Sequence, residues 1–201
     1  DQLYGSADTT SGRALVGVAA IGSGTPSTSG QSLTDVVATS DGNANSNQYA
    51  PESFVFMNDS SNASTPSGEP YNVMYIADTG STAKGIQKWV YTGAATNTGW
   101  TYEYNIGDAS TSYAAVAGQQ DGSGNVVLYG VTLGAGNSLE QFTAPLSALT
   151  APTDEGEVVL ATAGADYSFR GVALAPVVPE PASLSLLAMG GAGLLSRRRR
   201  R

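Results

Sequence analysis

Asn72-Val73-Met74-Tyr75-Ile76-Ala77-Asp78, followed after Thr79-Gly80 by Gly85-Ile86-Gln87-Lys88-Trp89-Val90-Tyr91, decides the fold. Both runs are dense in β-branched and aromatic residues and are bounded by Gly, Asp, Thr and Asn, the composition of two strands joined by a turn. Working outward, the same texture recurs at residues 14–21, 53–57, 100–106, 113–117, 126–131, 138–143, 158–161 and 169–174. No stretch of residues 1–176 carries a long apolar face of 3.6-residue period, so the body reads as all-β.

The first run recurs. Asn125-Val126-Val127-Leu128-Tyr129-Gly130-Val131 lies 53 positions on, and Leu3-Tyr4-Gly5 forms a third, shorter copy. Each Tyr-bearing run is followed by an alternating strand (residues 14–19, 85–91 and 138–142) and then by another, clearest at 100–106 and 158–161. The phrase is preceded by a small-residue strand, as at 52–58 and 113–117, and residues 169–175 supply another of the same kind. Four strands per repeat at this spacing is the unit of a β-propeller blade. Tyr75-Ile76-Ala77-Asp78-Thr79-Gly80 leading to Gly85-Ile86-Gln87-Lys88-Trp89 resembles the NHL-repeat phrase, which implies an NHL-like or divergent propeller; Asp78 is expected to be a turn residue satisfying backbone donors. About three units are present, whereas closed propellers have about four to eight blades. Asp1-Gln2-Leu3-Tyr4 enters at the second strand of a blade and residues 169–175 supply an inner strand with no blade behind it. The expectation is therefore a partial propeller, the C-terminal part of a larger ring with earlier blades upstream.

The chain contains neither Cys nor His. Without Cys there is no disulfide framework or thiolate nucleophile; without His, the usual general base, the Ser-His-Asp arrangement and the commonest transition-metal ligand are gone. Of nine Lys and Arg, five end the chain, leaving Arg13, Lys84, Lys88 and Arg170 against sixteen acids, a net of −12 for residues 1–176. Phosphate backbones repel such a body, so nucleic acid is not an expected partner.

Residues 177–201 are different in kind. Val177-Val178-Pro179-Glu180-Pro181 is an extended segment short of backbone donors, open to the grip of a processing enzyme. An uncharged stretch follows, carrying Ala182, Leu184, Leu186, Leu187, Met189, Gly190, Gly191, Gly193, Leu194 and Leu195. As a helix its 14 residues would rise about 21 Å, short of the roughly 30 Å of bilayer hydrocarbon. Arg197, Arg198, Arg199, Arg200 and Arg201 close the chain and, by the positive-inside rule, would stay cytoplasmic while the body lies outside. This order of Pro-Glu-Pro, short Leu/Gly/Ala stretch and terminal Arg run resembles the PEP-CTERM sorting signal. The resemblance implies an exported bacterial protein whose tail is inserted in the membrane transiently as a short hydrophobic helix. An exosortase, a Cys-dependent transpeptidase, would then read Pro179, Glu180 and Pro181, cut nearby and deliver the body to the cell surface or extracellular matrix.

For the body, Asp41, Asn43, Asn45 and Glu52 match the oxygen-ligand spacing of a calcium loop at positions 1, 3, 5 and 12, although Ser46 replaces the usual Gly and strand signals replace the flanking helices. Asp121-Gly122-Ser123-Gly124-Asn125 reads as a hairpin turn. Trp89, Trp100, Tyr102 and Tyr104 alternate, either as a platform for sugars or as packing between blades. Glu103, Asp108, Asp154, Glu155 and Glu157 offer no spacing that pairs them, so no catalytic residue can be named. The reading that results is a non-catalytic binding propeller with a surface or matrix ligand, a glycan among the candidates, and no cofactor other than possible calcium. Two rivals stand beside it: a carboxylate-dependent lyase or glycoside hydrolase whose site lies partly in upstream blades, and a structural spacer of the matrix.

Overall fold

Alternating β-branched and aromatic residues satisfy their backbone groups between strands, and short Gly- and Asp-bearing turns allow only neighbouring runs to meet. A computed structural model describes residues 2–7, 17–38, 50–80, 84–94, 97–108, 110–134 and 136–175. It has eleven strands among them: β1 (Tyr4–Ala7), β2 (Gly17–Ile21), β3 (Leu33–Ala38), β4 (Pro51–Met57), β5 (Val73–Asp78), β6 (Gly85–Tyr91), β7 (Trp100–Ile106), β8 (Tyr113–Gln120), β9 (Asn125–Thr132), β10 (Ser138–Pro145) and β11 (Val158–Thr162). The described residues contain no α-helix, only a 3-10 turn at Asn97–Gly99. The expected C-terminal hydrophobic helix lies outside them.

The strands form three antiparallel meanders in chain order: a first sheet β1-β2-β3, a second β4-β5-β6-β7 and a third β8-β9-β10-β11. The three are stacked. One face of the second sheet (Met74, Ile76, Trp89, Trp100) packs on Val18 and Val37 of the first. Its other face (Tyr75, Ala77, Ile86, Val90, Tyr104, Ile106) packs on Val116, Val126, Leu128 and Phe142 of the third. A sheet covered on both faces loses the alternation of a half-exposed one, which is why β5 and β6 read as nearly continuous apolar runs. Inner strands β4 and β8 are also tied directly, the Val116 amide donating to Ser53 Oγ at 2.6 Å.

The second and third sheets repeat each other residue by residue, with a correction to the sequence alignment. Pro51 pairs with Asp78 and Ser53 with Ala77, leaving Glu52 as a bulge; Tyr113 pairs with Thr132 and Ala115 with Val131, leaving Ala114 as the same bulge. Structural equivalence therefore runs Asp78 to Thr132 and Tyr75 to Tyr129, a spacing of 54. The 53-residue alignment would match Tyr75 with Leu128, which points the other way, because a one-residue slip reverses every side chain in a strand. In the first sheet Ala7 pairs with Gly17 as Asp78 pairs with Gly85, so Tyr4 is the counterpart of Tyr75. Tyr4 packs toward the second sheet and Tyr75 toward the third.

Two further expectations change. β3, whose Leu33-Thr34-Asp35 opening lacks a continuous apolar run, is a strand nonetheless and completes the first sheet against β2. Residues 169–174, expected as a strand, carry no regular secondary structure and belong to no ladder among the described residues. Phe169 is fastened to the β9–β10 turn: its amide donates to Asn137 Oδ1 at 2.8 Å and its carbonyl accepts from Asn137 Nδ2 at 2.9 Å. Among the described residues no strand pairs with this segment. Residues 14–16, read as the start of β2, lie outside the described residues.

Candidate functional site

At one end of the second sheet lies an open cleft of about 370 Å³, lined by Asp59, Ser61, Asn62, Ser64, Val90, Tyr91, Thr92, Glu103, Leu146, Ser147 and Leu149. One wall is the loop after β4. Asn72, fully buried, holds it: Nδ2 donates to the Asp59 and Asn62 carbonyls at 2.9 and 2.8 Å, and Oδ1 accepts from the Asp59 amide at 2.7 Å. Asn62 Nδ2 then bonds the Tyr91 carbonyl at 3.0 Å, closing the loop onto the end of β6. Asp59 Oδ1 is taken by Ser61. Glu103 is the extra residue of a bulge between the Lys88–Tyr104 and Trp89–Tyr102 pairs. Burial raises its pKa, and the nearby Lys88 charge pulls it back down.

The opposite wall is the turn after β10, held by Lys88, a fully buried cation on the face of β6 toward the third sheet. Its Nζ donates to the Leu146 and Ala148 carbonyls, both at 2.6 Å. It also lies over the rings of Tyr75 and Tyr104, 5.9 and 5.4 Å from their centroids, an arrangement that favours a cation in a dry site. Burial nevertheless lowers the Lys88 pKa to about 8, with the charges of Asp59 and Glu103 acting in the opposite direction. Lys88 thus stays protonated at neutral pH and joins the two sheets beneath the cleft. The hydroxyls of Tyr75 and Tyr104, buried beside it, have no hydrogen-bond partner among the described residues.

The aromatic residues singled out in the sequence do not form a platform. The Glu103 bulge breaks their alternation: Tyr102 turns to Trp89 on the face toward the first sheet, in an edge contact at 5.6 Å, while Tyr104 stands beside Lys88 on the other face. Trp89, Trp100 and Tyr104 are buried packing residues; Tyr102 is 46 % exposed. Asp78 is a buried organiser. Its Oδ1 accepts from the Ala50 and Gly80 amides at 2.9 and 2.7 Å, and Oδ2 from Gln87 Nε2 at 2.9 Å. Gln87 Oε1 in turn accepts from Trp89 Nε1 at 2.8 Å. Asp121 closes the β8–β9 hairpin by accepting from the amides of Ser123 and Asn125.

Of the calcium-loop residues, Asp41, Asn43 and Asn45 lie outside the described residues; Glu52 is exposed and accepts from Thr79 Oγ1 at 3.1 Å. Glu155 is bound to the Gly107 amide at 2.7 Å, away from the cleft lining. Sequence reading missed the cleft because its walls come from the loop after β4, a bulge in β7 and the turn after β10. The local signals were Asn72, opening the repeat phrase, and the Asp59-Ser60-Ser61-Asn62 turn.

The tail also lies outside the described residues, so its evidence is its order: Pro179-Glu180-Pro181, an uncharged stretch, then five arginines. Residues 177–201 match the family model of the PEP-CTERM protein-sorting motif. The chain carries a PEP-CTERM tail. That tail marks an exported protein with a C-terminal sorting signal and implies an exosortase as processing partner. No curated protein matches the chain, and no solved structure matches it.

Proposed function

We propose that the PEP-CTERM tail delivers a non-catalytic binding body to the cell surface or extracellular matrix, and that this body is a propeller-type array of blades whose cleft beside β6 takes a polar ligand of the glycan class. The tail's short hydrophobic stretch serves as a transient anchor until the exosortase cuts near Pro179-Glu180-Pro181. The observation that carries the ligand reading is the cleft's composition: hydroxyls from Ser61, Ser64, Thr92 and Ser147, the amide of Asn62, two carboxylates and the Tyr91 ring meet in one opening. Such a mixture suits a sugar, which offers hydroxyls to acceptors and an apolar ring face to an aromatic. The propeller reading is supported by the repeated four-stranded meanders, each covering the face of the one before. The test is glycan-array binding by the full chain beside a Tyr91→Ala and an Asp59→Asn variant. Binding lost in both variants supports the cleft; binding unchanged in both refutes it, and no binding to any glycan favours a matrix spacer.

A second reading rests on one observation. Asp59 and Glu103 line the same cleft, and Glu103, its pKa raised by burial, has the character of a general acid. A carboxylate-dependent glycan-cleaving enzyme would release new reducing or unsaturated ends from a bound polysaccharide and lose that activity in Glu103→Gln while still binding. Absence of such ends from every bound glycan removes this reading.

A further inference from the structure

The third sheet releases the chain toward its sorting tail in two stages. β11 ends at Thr162, and the Ala163 amide still donates to the Asn137 carbonyl at 2.8 Å. From Gly164 to Ala175 there is neither strand nor helix, only a turn in which the Tyr167 amide donates to the Gly164 carbonyl at 2.9 Å. Most of this segment is exposed.

The chain is nevertheless caught once more, at Phe169. Asn137 is buried in the β9–β10 turn, and its carboxamide does for Phe169 what a neighbouring strand would do. Oδ1 accepts from the Phe169 amide at 2.8 Å while Nδ2 donates to the Phe169 carbonyl at 2.9 Å. The same Nδ2 donates to the Thr132 carbonyl at 2.7 Å, which fixes the side chain to the end of β9. Both donor hydrogens are therefore used, and unpairing a buried amide of this kind is costly. Among the described residues no hydrogen bond holds residues 170–175, and a Cβ added at Gly171 meets nothing within 4 Å. Phe169 is the last fixed point of the body before the tail.

That clamp sets a length. Pro179 lies 17 positions after Thr162 but only 10 after Phe169. Fully extended, those distances are at most about 56–61 Å and about 33–36 Å. A compact body of about 170 residues has a radius of gyration of about 16 Å and hence a radius of about 20 Å. Held at Phe169, the body thus has free chain for less than two of its own radii. The charge of the free segment suits a bilayer surface: residues 167–179 contain no acid and one cation, Arg170, whereas an anionic membrane repels the acidic body.

We propose that Asn137 is a positioning residue for processing of the tail. By clamping Phe169 it fixes where the folded body ends, and residues 170–178 are the tether that lets an enzyme at the membrane engage Pro179-Glu180-Pro181 while the body stays folded. The role rests on the tail being an exosortase substrate cut near those three residues, and on no ligand of the body.

The test is pulse–chase of the full chain in an exporting host that processes such tails, following loss of the tail. Deleting residues 171–175 leaves a free length of about 17–18 Å, shorter than the body's radius, and cleavage should slow at least about tenfold because a linker that cannot span its sites abolishes their encounter. Five Gly and Ser residues in place of 171–175 should restore the wild-type rate, since length and not sequence is required. Adding Asn137→Ala to the deletion moves the fixed point back to Thr162, which is then 12 residues from the Pro-Glu-Pro element, and should restore cleavage to within about twofold. A purely structural role for Asn137 would give no such rescue. Hydrogen exchange on the full chain checks the release: in Asn137→Ala the Phe169 amide loses protection while β9 amides keep theirs. If β9 loses protection as well, Phe169→Pro, which removes the clamped amide, takes its place. Cleavage of the deletion chain at the wild-type rate would overturn the tether. Failure of a folded, clamp-released deletion chain to recover would overturn the role of Asn137. An uncleaved wild-type chain would overturn processing of the tail and this role with it.

Discussion

Lys88 is charged at neutral pH although fully buried, and folding should therefore depend on pH in an unusual direction. In the unfolded chain a lysine titrates near 10.4, whereas the buried Lys88 titrates at about 8. Between those values the unfolded state holds a proton that the folded state has released, so unfolding takes up a proton and stability rises with pH. The contribution is complete only above the unfolded value and is lost as pH falls toward 8. Integrating between pH 7 and 9.8, at about 1.4 kcal/mol per pH unit for a full proton difference, gives about 2 kcal/mol of added stability. The upper limit matters because burial raises the pKa values of Tyr75 and Tyr113, which oppose the trend once unfolded tyrosines begin to ionise near 10. The assay is denaturant unfolding at pH 7 and pH 9.8, followed by fluorescence of the buried Trp89 and Trp100, on the full chain and on Lys88→Met. The wild-type chain should gain about 2 kcal/mol on the variant over that interval. Parallel pH profiles for the two proteins would refute a buried, charged Lys88.

Three other perturbations have definite outcomes. Trp89→Ala empties the centre of the first-to-second sheet contact and should cost about 3–5 kcal/mol in denaturant unfolding; a loss below 1 kcal/mol would mean that the two sheets are not packed through it. Asp78→Ala leaves the Ala50 and Gly80 amides without their acceptor and removes the carboxylate that Gln87 Nε2 donates to, so the unfolding free energy should fall by at least about 3 kcal/mol. Replacing Pro179, Glu180 and Pro181 together by Ala should leave the chain in the membrane fraction uncleaved, whereas unchanged surface delivery would deny those residues a role in sorting.

Legibility followed physical range. Strands buried on both faces, such as β5 and β6, announce themselves because every position must be apolar or satisfied in place. β3 was harder: two of its first three residues are polar, and it is fixed by pairing with β2 rather than by its own pattern. Residues 169–174 have strand texture, yet texture specifies a strand only when another backbone lies alongside. The repeat was visible, but its phase was not, since aligning Asn72 with Asn125 rewards identity and ignores which way the pleat points. Lys88 looked like one member of an Ile-Gln-Lys phrase; its role appears only when β10 delivers the Leu146 and Ala148 carbonyls to it. The cleft had only the local signals of Asn72 and the Asp59–Asn62 turn, because Asp59, Glu103 and Ser147 meet only through tertiary packing.

The two sheet contacts are unequal. Among the described residues, the first sheet contributes Val18 and Val37 to a buried cluster, with Tyr4 and Val36 packed against it, whereas the third commits Tyr113, Val116, Val126, Leu128, Phe142, Ala144 and Leu146. Amides of β2 should therefore exchange with solvent through a lower-energy opening than those of β9. There is also a consequence for the order of assembly. A chain emerging amino-terminus first presents β1 to β3 before residues 73–100, which must cover them, have arrived. The buried contact between the first and second sheets therefore cannot form until that later-emerging run has been made.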